Sequence, residues 1–502
     1  MQNHCKKLAM LVRVMRFRPG ILAIVLPCLL LALAPGSATA QSGDNAGECV
    51  ESASQGTVKK YRCRLGPVRV GPFQVLTKEL IFGIPKPALD GFVTDMSVDV
   101  VDAKGQPMPI SRLMLHHIVF GNLGASIGSK TDPTCSDRGF LTWDTKSFLP
   151  AAAERFYAAG EERAKMKLPP GYGYPIASQD SWFMTYMFMN HRSKTDTAYV
   201  EYELTVDTRA DLAPVDPYWL DVENCKTDPV YDVPGGGRRG STHVKTMNWR
   251  VPEAGRLVAA GGHVHGGGKA LALVRPECPT NAREIYTSRP VWGSPSHPFY
   301  NIKPVLHEPG PINMSGFYSA EGVPLAAGER VVLQSRYDAA QPHTRVMGIM
   351  IAYFAPDASA NERCAPRPGD MTTLEQPRGR RRAPAFRVPI VGVRNGKPVN
   401  ITAPPGRRVA LGRRGTVEVG DLFFRRPNVS LPAGGTLTWR FDGGGLHNIT
   451  LANGPRGFSS PNLSDGRTYS KRLSVPGTYQ LFCGLHPVDM TATVKVVRKR
   501  RN

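Results

Sequence analysis

Short runs in which apolar and polar residues alternate recur along most of this chain. Examples are the segments 92–101 (FVTDMSVDVV) and 199–206 (YVEYELTV). Alternation with a period of two turns one face of side chains toward a core and the other toward solvent, which is typical of a half-buried strand. The chain also contains 51 glycines and 44 prolines, many of which bound these runs. The pattern predicts a turn-rich, all-β protein.

The clearest predicted strands form an early and a later set. The early set is 61–65, 68–70, 92–101 and 199–206, and the later set is 248–251, 270–274, 330–335 and 347–354. Only the segment 151–166 has a helical pattern.

The length of 502 residues predicts roughly two to four domains. We expect one β-domain over 41–210 and a second over 211–356. A Pro/Arg-rich linker over 357–414, with one strand at 386–393, would form a mobile connector. A third β-domain would occupy 415–498.

The first forty residues predict an export signal. Basic residues from Lys6 to Arg18 precede an apolar run over 21–34, and Ala38-Thr39-Ala40 offers a cleavage site. This order is typical of a secretory signal peptide. The apolar run is shorter than the about 20 residues that a membrane-spanning helix needs. We expect a secreted or extracytoplasmic (cell envelope) protein, and an uncleaved anchor is the alternative.

Seven cysteines follow that signal: Cys49, Cys63, Cys135, Cys225, Cys278, Cys364 and Cys483. If Cys483 binds a metal, six remain. An even number in an exported chain predicts three disulfides, whose pairing the sequence leaves open. A Cys/His zinc site is the competing use, but the sequence has no C-x-x-C pair.

The net charge of +22 comes largely from three basic clusters. One is the signal, one is an acid-free stretch over 378–414 with eleven basic residues, and one ends the chain at 498–501. Such clusters favour anionic surfaces or acidic partners. The sequence has no recognised nucleic-acid motif, so we expect no nucleic-acid partner and interpret the middle cluster as a solvated linker.

The strongest chemical pattern is the segment 482–490 (FCGLHPVDM), which contains Cys483, His486 and Met490. His447 lies upstream. Two imidazoles, one thiolate and a weak axial thioether form a blue-copper electron-transfer site. Cys483 would close a strand, and the tight loop would return His486 and Met490 to the same metal. The alternative is a buried cysteine beside an incidental histidine.

At these residues the segment 416–497 resembles the plastocyanin/amicyanin-like cupredoxins. The resemblance implies a Greek-key β-sandwich with one type 1 copper and an electron donor or acceptor, either a protein or a small reductant. The segment has three residues between His486 and Met490, where small cupredoxins more often have two or four. Phe482 and Gly484 flank Cys483, so the His-Cys-His bridge of multicopper oxidases is absent.

A second set of candidate ligands lies upstream. It comprises His116, His117, His191, His263, His265 and Met347. Neighbours on a strand point to opposite faces, so His116 and His117 can share a metal only at a strand end or a bulge. His263 and His265 point to the same face and can chelate together. The thioether favours copper. Each motif alone is weak, because an adjacent histidine pair is more often a polar strand position, His-x-His among glycines can cap a turn, and a single methionine is more often part of the core.

Together these segments resemble the copper type II, ascorbate-dependent monooxygenases of the peptidylglycine α-hydroxylating and dopamine β type. They also resemble the stress up-regulated Nod (nodulin-type) proteins, to which we assign the chain first. The resemblance covers about 68–356 and implies two jelly-roll-like β-sandwich domains. It implies an electron-transfer copper site at His116, His117 and His191. It also implies a catalytic, oxygen-binding copper site at His263, His265 and Met347.

Two positions depart from the peptide-hydroxylating members. Those enzymes have an arginine two residues before the His-x-His pair and a tyrosine four residues after the methionine. Gly261 and Ile351 stand there instead, which argues against a glycine-extended peptide substrate. The other histidines, His243, His297, His307 and His343, have no ligand spacing, and we interpret them as surface or structural residues. His307 in an outer hydrogen-bonding role is the alternative.

The leading hypothesis is an exported copper oxidoreductase, in which a cupredoxin delivers electrons to a monooxygenase-like module that uses O2. The second is a non-catalytic electron carrier whose N-terminal domains form a scaffold or bind a partner. Copper storage ranks last, because the methionines cluster only modestly. The basic linker and tail would allow contact with an anionic surface.

Overall fold

Alternating apolar and polar residues form strands throughout the described chain. The structure, a computed structural model, describes residues 47–498 except 127, 136–139, 142–147, 150–152, 227 and 385. Within these residues, helical structure is confined to α1 (Thr280–Arg283) and two short 3-10 turns, Pro298–Asn301 and Ala358–Ala360. The all-β fold class is confirmed. The predicted export signal and the end of the C-terminal basic cluster lie outside the described residues.

The first group of strands forms two main sheets. Its members are β1 (Gly47–Gln55), β2 (Val58–Val70), β3 (Val75–Phe82), β4 (Gly91–Val101), β5 (Leu113–Asn122), β6 (Phe140–Leu141), β7 (Phe148–Leu149), β8 (Glu154–Gly160), β9 (Met166–Lys167), β10 (Tyr172–Ile176), β11 (Trp182–Asn190), β12 (Asp196–Asp207) and β13 (Ala213–Pro214). One sheet has the order β1-β2-β12-β4-β10-β13, with β9 beside β4, and the other has the order β3-β11-β5-β8. Buried residues of both sheets, such as Tyr202 and Phe120, share one core.

The second group repeats this arrangement. Its members are β14 (Asp216–Asp221), β15 (Tyr231–Val233), β16 (Thr242–Arg250), β17 (Gly255–Val264), β18 (Gly268–Val274), β19 (Glu284–Ser288), β20 (Pro290–Val291), β21 (Asn313–Met314), β22 (Gly316–Leu325), β23 (Arg330–Asp338), β24 (His343–Val346), β25 (Gly348–Pro356) and β26 (Thr372–Thr373). The main sheets have the orders β14-β25-β17-β22-β26 and β16-β23-β18-β19. Leu257 and Leu333, one from each sheet, lie in a common core.

The third group forms a smaller pair of sheets. Its members are β27 (Ile390–Arg394), β28 (Lys397–Ile401), β29 (Val409–Ala410), β30 (Arg414–Gly420), β31 (Phe423–Phe424), β32 (Asn428–Pro432), β33 (Gly435–Phe441), β34 (Thr450–Asn453), β35 (Thr468–Leu473), β36 (Gly477–Cys483) and β37 (His486–Val497). After the β27–β28 hairpin come sheets with the orders β29-β32-β37-β36-β34 and β31-β30-β33-β35. Trp439 and Leu481 are buried between these two sheets.

The helix predicted over 151–166 is wrong. Its described residues form β8, which pairs with β5, and β9, which pairs with β4. Phe156 and Tyr157 are neighbours in sequence and both are buried, because β8 is covered on both faces. A strand buried on both sides loses the alternation that marks a strand in sequence, and its apolar run imitates a helix.

The connector is bound along much of its length, contrary to the expectation of a mobile segment. Arg380 forms a backbone bridge with Trp292. The single strand predicted at 386–393 is in fact the hairpin β27–β28. Beyond it, the side chain of Gln480 donates a hydrogen bond to the Thr402 carbonyl at 2.9 Å, and that of Asn428 donates one to the Pro404 carbonyl at 2.7 Å.

The prediction of three disulfides is confirmed. The pairs are Cys49–Cys63, Cys135–Cys225 and Cys278–Cys364. Cys483 alone among the described cysteines is free. Three disulfides are compatible with an extracytoplasmic location.

The described residues contain no helix that is long and apolar enough to cross a membrane.

We predict that Phe156→Ala lowers the free energy of unfolding by about 3–5 kcal/mol, because it opens a cavity in the first core. The Phe156 ring is fully buried, stacks on Tyr174 with centroids 4.8 Å apart and contacts Trp182 at 4.7 Å. The matched control is Phe82→Ala, since Phe82 is 53% exposed. Denaturant titration should show a much smaller loss for the control, and equal losses would contradict this account of the core.

Candidate metal sites

The C-terminal candidate ligands are brought together by two adjacent strands. Cys483 ends β36 and His486 begins β37, and the two residues face each other across a tight turn. His447 forms a backbone bridge with Leu463 just before β34, the neighbour of β36. Met490 lies farther along β37 and is fully buried in the same core as Cys483.

Three of these side chains form a compact donor set. The Nδ1 atoms of His447 and His486 lie 3.2 Å apart. The Cys483 Sγ lies 3.7 Å from the His486 Nδ1 and 4.0 Å from the His447 Nδ1. Two imidazole nitrogens and one sulfur around a common point fit a copper ion. The same nitrogen of each ring therefore faces the sulfur.

The surrounding groups hold this set in place. The Asp421 carboxylate lies 3.1 Å from the His447 Nε2 and fixes the orientation of that ring. The backbone N–H of Asn448 donates to the Cys483 Sγ at 3.4 Å, while the Asn448 side chain accepts a hydrogen bond from the Gly484 N–H at 2.8 Å. Burial raises the pKa of the Cys483 thiol, so a bound cation would favour the thiolate there.

The upstream histidine pair lies at a β-bulge. In the pairing of β5 with β11, His117 is opposite Met187 and Leu115 is opposite Phe188, so His116 is the additional residue. A bulge interrupts the alternation of side chains. The rings of His116 and His117 therefore lie close together, with centroids 5.1 Å apart. This is the geometry that adjacent histidines need if both are to reach one cavity.

The His-x-His motif lies at the end of β17. His263 is opposite Ile349 on β25, His265 follows the strand, and their ring centroids are 5.0 Å apart. The Tyr337 hydroxyl accepts a hydrogen bond from the His265 N–H at 2.7 Å and donates one to the Met347 carbonyl at 2.6 Å. Met347 stands between β24 and β25 and is buried.

Two neighbouring carboxylates organise these histidines, and the sequence analysis missed both. Glu161 and Glu162 follow β8 directly and are buried. The Glu161 Oε1 lies 2.8 Å from the His116 Nδ1. The Glu162 Oε2 lies 3.0 Å from the His263 Nδ1. Burial alone would raise the pKa of Glu161, but the neighbouring His307 and His116 hold it well below its usual range.

His307 also belongs to this cluster, so its interpretation as a surface or structural histidine was incomplete. Its Nε2 lies 2.6 Å from the Glu161 Oε1, and its ring centroid is 4.9 Å from that of His116. His343 is buried beside Glu308, with its Nδ1 2.9 Å from each carboxylate oxygen. Sequence spacing could not reveal either role, because both partners are far away along the chain.

The rings of the two expected upstream sites lie in one cluster. The centroid of His116, from the first expected site, is 5.0 Å from that of His265, from the second. His191 is buried, and the charges of His307, Glu161 and His116 all influence its pKa. The structure therefore brings the predicted upstream histidines together with His307. We refer to His116, His117, His191, His263, His265 and His307 as the histidine cluster.

The cluster fits a metal because it contains buried nitrogen donors that lack a hydrogen bond. Several histidine nitrogens in and beside the cluster are buried and have no hydrogen-bond partner in the described part of the chain. They are His191 Nδ1 and Nε2, His263 Nε2, His265 Nε2, His307 Nδ1 and His343 Nε2. Buried polar atoms are normally paired, so such a concentration requires an explanation. Burial lowers the pKa of His191 to about 3 and that of His265 well below its usual range. Neutral imidazoles are the form that binds metals.

The His263–Glu162 pair has the arrangement typical of a metal ligand. A ligating histidine usually donates its second ring N–H to a carboxylate, which leaves the other nitrogen directed at the metal. Burial alone would lower the pKa of His263, but the Glu162 carboxylate raises it above its usual value. The His263 Nε2 remains without a partner.

Two cavities adjoin the cluster. The first, about 90 Å³, has a mostly apolar lining that includes His117, His263 and Met347, together with Gly261 and Ile351. The second, about 240 Å³, is lined on one side by His116, His265 and His307. Its other side is formed by Leu446, Asn448 and Leu485, which are next to the C-terminal donor set.

Known proteins resemble two parts of the chain. Residues 190–357 match the family described as Stress up-regulated Nod 19. Amicyanin-alpha of Methylorubrum extorquens is 32% identical over 74 residues, which are 14% of this chain and 62% of that protein. Plastocyanin of Sambucus nigra is 32% identical over 80 residues, which are 14% of this chain and 81% of that protein. This chain belongs to the plastocyanin-like cupredoxins.

The third pair of sheets brings together His447, Cys483 and His486, the residues on which the expected resemblance to cupredoxins rests. The similarity of the chain to amicyanin and plastocyanin supports copper binding and electron transfer. The chain spans only 62% of the length of the amicyanin. Among solved structures, the purple cupredoxin from Nitrosopumilus maritimus is 25% identical, covers 16% of this chain and 99% of its own, and has a TM-score of 0.16.

We expect Glu162→Gln to weaken metal binding at the histidine cluster by about 10–100-fold, since an amide orients the His263 ring less strongly than a carboxylate does. Chelator competition with Cu(II) on folded protein measures this affinity. Glu203→Gln is the control, because the Glu203 side chain is 58% exposed. Unchanged affinity for both variants would show that the Glu162–His263 contact serves the fold alone.

Two adjacent glycines provide a test of the first cavity. A Cβ atom on Gly261 would meet no atom within 4 Å, whereas one on Gly262 would lie 2.8 Å from the Ser288 Oγ and 2.9 Å from the Leu271 Cδ1. We predict that Gly262→Ala destabilises the fold by about 1–3 kcal/mol through overpacking. Gly261→Ala should leave the thermal midpoint unchanged or slightly higher. A loss of equal size in both variants would contradict the presence of open space at Gly261.

Proposed function

We propose that this chain is an exported copper oxidoreductase. Its cupredoxin would pass electrons to copper held at the histidine cluster, where O2 would be used to hydroxylate a small apolar substrate. The observation that carries the proposal is the cavity of about 240 Å³, because its lining includes members of the histidine cluster on one side and residues next to the cupredoxin donor set on the other. The proposed units are two monooxygenase-like sandwiches over 41–210 and 211–356, the connector over 357–414, and the cupredoxin over 415–498.

Direct contacts hold the cupredoxin against this cavity. The Asp232 carboxylate accepts hydrogen bonds from the Ser459 N–H at 2.7 Å and the Ser459 hydroxyl at 2.8 Å. The Thr344 hydroxyl donates to the Leu451 carbonyl at 2.7 Å. Val488, which lies between His486 and Met490, packs against a separate apolar cluster around Trp292. Electrons would therefore cross a fixed interface, without an undocking step.

The strand β24 connects the two proposed centres. Thr344 and Arg345 on this strand contact the cupredoxin, and the Arg345 guanidinium donates to the Ser460 carbonyl at 3.2 Å. Met347, a predicted ligand, follows the strand directly. A short stretch of backbone thus leads from the cupredoxin surface to the histidine cluster.

Copper bound at the cluster would supply one-electron transfer and the activation of O2. The protein would supply orientation and exclusion of water. The Glu162 carboxylate would hold the His263 ring with its Nε2 toward the copper. The Tyr337 hydroxyl, bonded to the backbone of His265 and of Met347, would fix the distance between these two ligands. Burial lowers the pKa of His191 and of His265 and would keep these two imidazoles neutral and available.

The mostly apolar lining of the first cavity supports the proposal of a small apolar substrate. Gly261 and Ile351 line it at the two positions where peptide-hydroxylating enzymes have substrate-anchoring residues. A glycine and an isoleucine cannot pair with a carboxylate, so the cavity offers shape and apolar contact at these positions.

Reoxidation of the cupredoxin tests the proposed electron path without knowledge of the substrate. The copper-loaded protein is reduced until its blue absorption disappears and is then mixed with O2. We expect the blue absorption to return more slowly in His263→Ala than in the wild-type protein, because the onward acceptor is lost. His243→Ala is the control, since His243 lies outside the cluster.

Two further observations complete this test. Cys483→Ser should abolish the blue absorption while leaving the copper at the cluster in place. If His263→Ala reoxidises at the wild-type rate, electrons do not pass through the cluster. The protein would then be a carrier whose N-terminal part forms a scaffold or binds a partner.

A further inference from the structure

The clearest unexplained feature of the cluster is His307, which reaches it from outside the predicted motifs. It lies in the loop between the 3-10 turn Pro298–Asn301 and β21. Val305 and Leu306, immediately before it, are buried, and Leu306 packs with Phe299 and Trp292. These apolar contacts anchor the loop, so the His307 side chain is held toward the cluster.

Glu161 binds His307 and His116 through one oxygen. The Glu161 Oε1 lies 2.6 Å from the His307 Nε2 and 2.8 Å from the His116 Nδ1. The other oxygen, Oε2, accepts a hydrogen bond from the Gly310 N–H at 2.6 Å, which ties the carboxylate to the same loop. A buried carboxylate is stable only when it is paired and hydrogen-bonded, as it is here.

This pairing leaves specific nitrogens available. With its Nε2 on the carboxylate, His307 has a buried Nδ1 without a partner. His191 is also buried, and neither of its ring nitrogens has a hydrogen-bond partner. A carboxylate on one ring nitrogen with the opposite nitrogen unpaired is the pattern found around metal-ligating histidines.

We propose that His307 is a metal ligand of the histidine cluster, so that the donors of a copper centre there come from both of the upstream strand groups. Glu161 is the positioning residue that holds the rings of His307 and His116. The inference rests on the proposed function, because copper is the metal that the function requires. It differs from the sequence prediction in adding His307, a donor from the second group, to the predicted histidines.

The placement has a structural consequence. His116 and His191 lie in and directly after strands of the first group, whereas His307 belongs to the second. A metal bound by His307 and by a histidine of the first group would fasten the two groups to each other at the site itself. Metal binding would then stabilise the contact between the groups in addition to each fold.

Copper stoichiometry tests the proposal on full-length mature protein loaded with Cu(II) and desalted. We expect about three coppers in the wild-type protein, given one blue centre and two at the cluster. His307→Ala should retain two, with the blue absorption unchanged and one set of non-blue Cu(II) resonances lost from the electron paramagnetic resonance spectrum. His243→Ala should retain three.

The outcomes separate this inference from the proposed function. A wild-type protein that retains only the blue copper overturns both. A wild-type protein and a His307→Ala variant that both retain three, with the same spectrum, leave the function intact and overturn the role of His307. In that case His307 only pairs with Glu161, and its loss would change the thermal midpoint alone.

A second variant guards against a folding defect of His307→Ala. The side-chain amide in His307→Gln can still donate a hydrogen bond to the Glu161 carboxylate, but an amide is a poor copper ligand. The metal-free variant should keep the wild-type thermal midpoint and should retain two coppers after loading. Three coppers with the wild-type spectrum in this variant would overturn the proposal.

Discussion

Two adjacent buried carboxylates, Glu161 and Glu162, are the interaction on which the upstream site depends. Glu161 and Glu162 are the central residues of a turn, which the Arg163 N–H closes on the Gly160 carbonyl at 3.1 Å. From this turn Glu161 reaches His116 and His307, while Glu162 reaches His263. Burying two ionised groups costs several kcal/mol unless each is paired and hydrogen-bonded. The histidines provide that pairing, so the carboxylates and the rings stabilise each other's positions.

The carboxylates also connect the site to the core. Both follow β8, a strand buried on both faces whose neighbour β5 contains His116 and His117. The aromatic packing of Phe156 fixes the position of β8, and with it the position of the two glutamates that follow the strand. Apolar contacts deeper in the sheet thus set the positions of the donors at the site. The side chains of the carboxylates and histidines need few alternative conformations to make their contacts.

Much of the C-terminal site could be predicted from sequence because its donors are local. Cys483 and His486 are three residues apart and share one turn, and the strand that Cys483 was expected to close is β36. The all-β class followed from alternation, and the number of disulfides followed from counting cysteines.

The upstream site resisted prediction for two physical reasons. Glu161 and Glu162 follow a strand that lacks alternation because both of its faces are buried, so the segment was interpreted as a helix. His307 lies 146 residues from Glu161, and no spacing rule joins residues so distant. The sequence analysis required either a strand end or a bulge at the adjacent histidines, and the structure has a bulge at His116.

At this bulge, a regular strand pairing and the presence of both adjacent histidines in one cavity exclude each other. A continuous ladder would pair every residue of β5 with β11, whereas the additional residue interrupts the hydrogen bonding at His116. Removing one residue at this point would restore a regular ladder and abolish a donor in the same step. The shortest route to a more regular strand therefore also removes a candidate metal donor, so a screen that selects for thermal stability alone would not preserve the site.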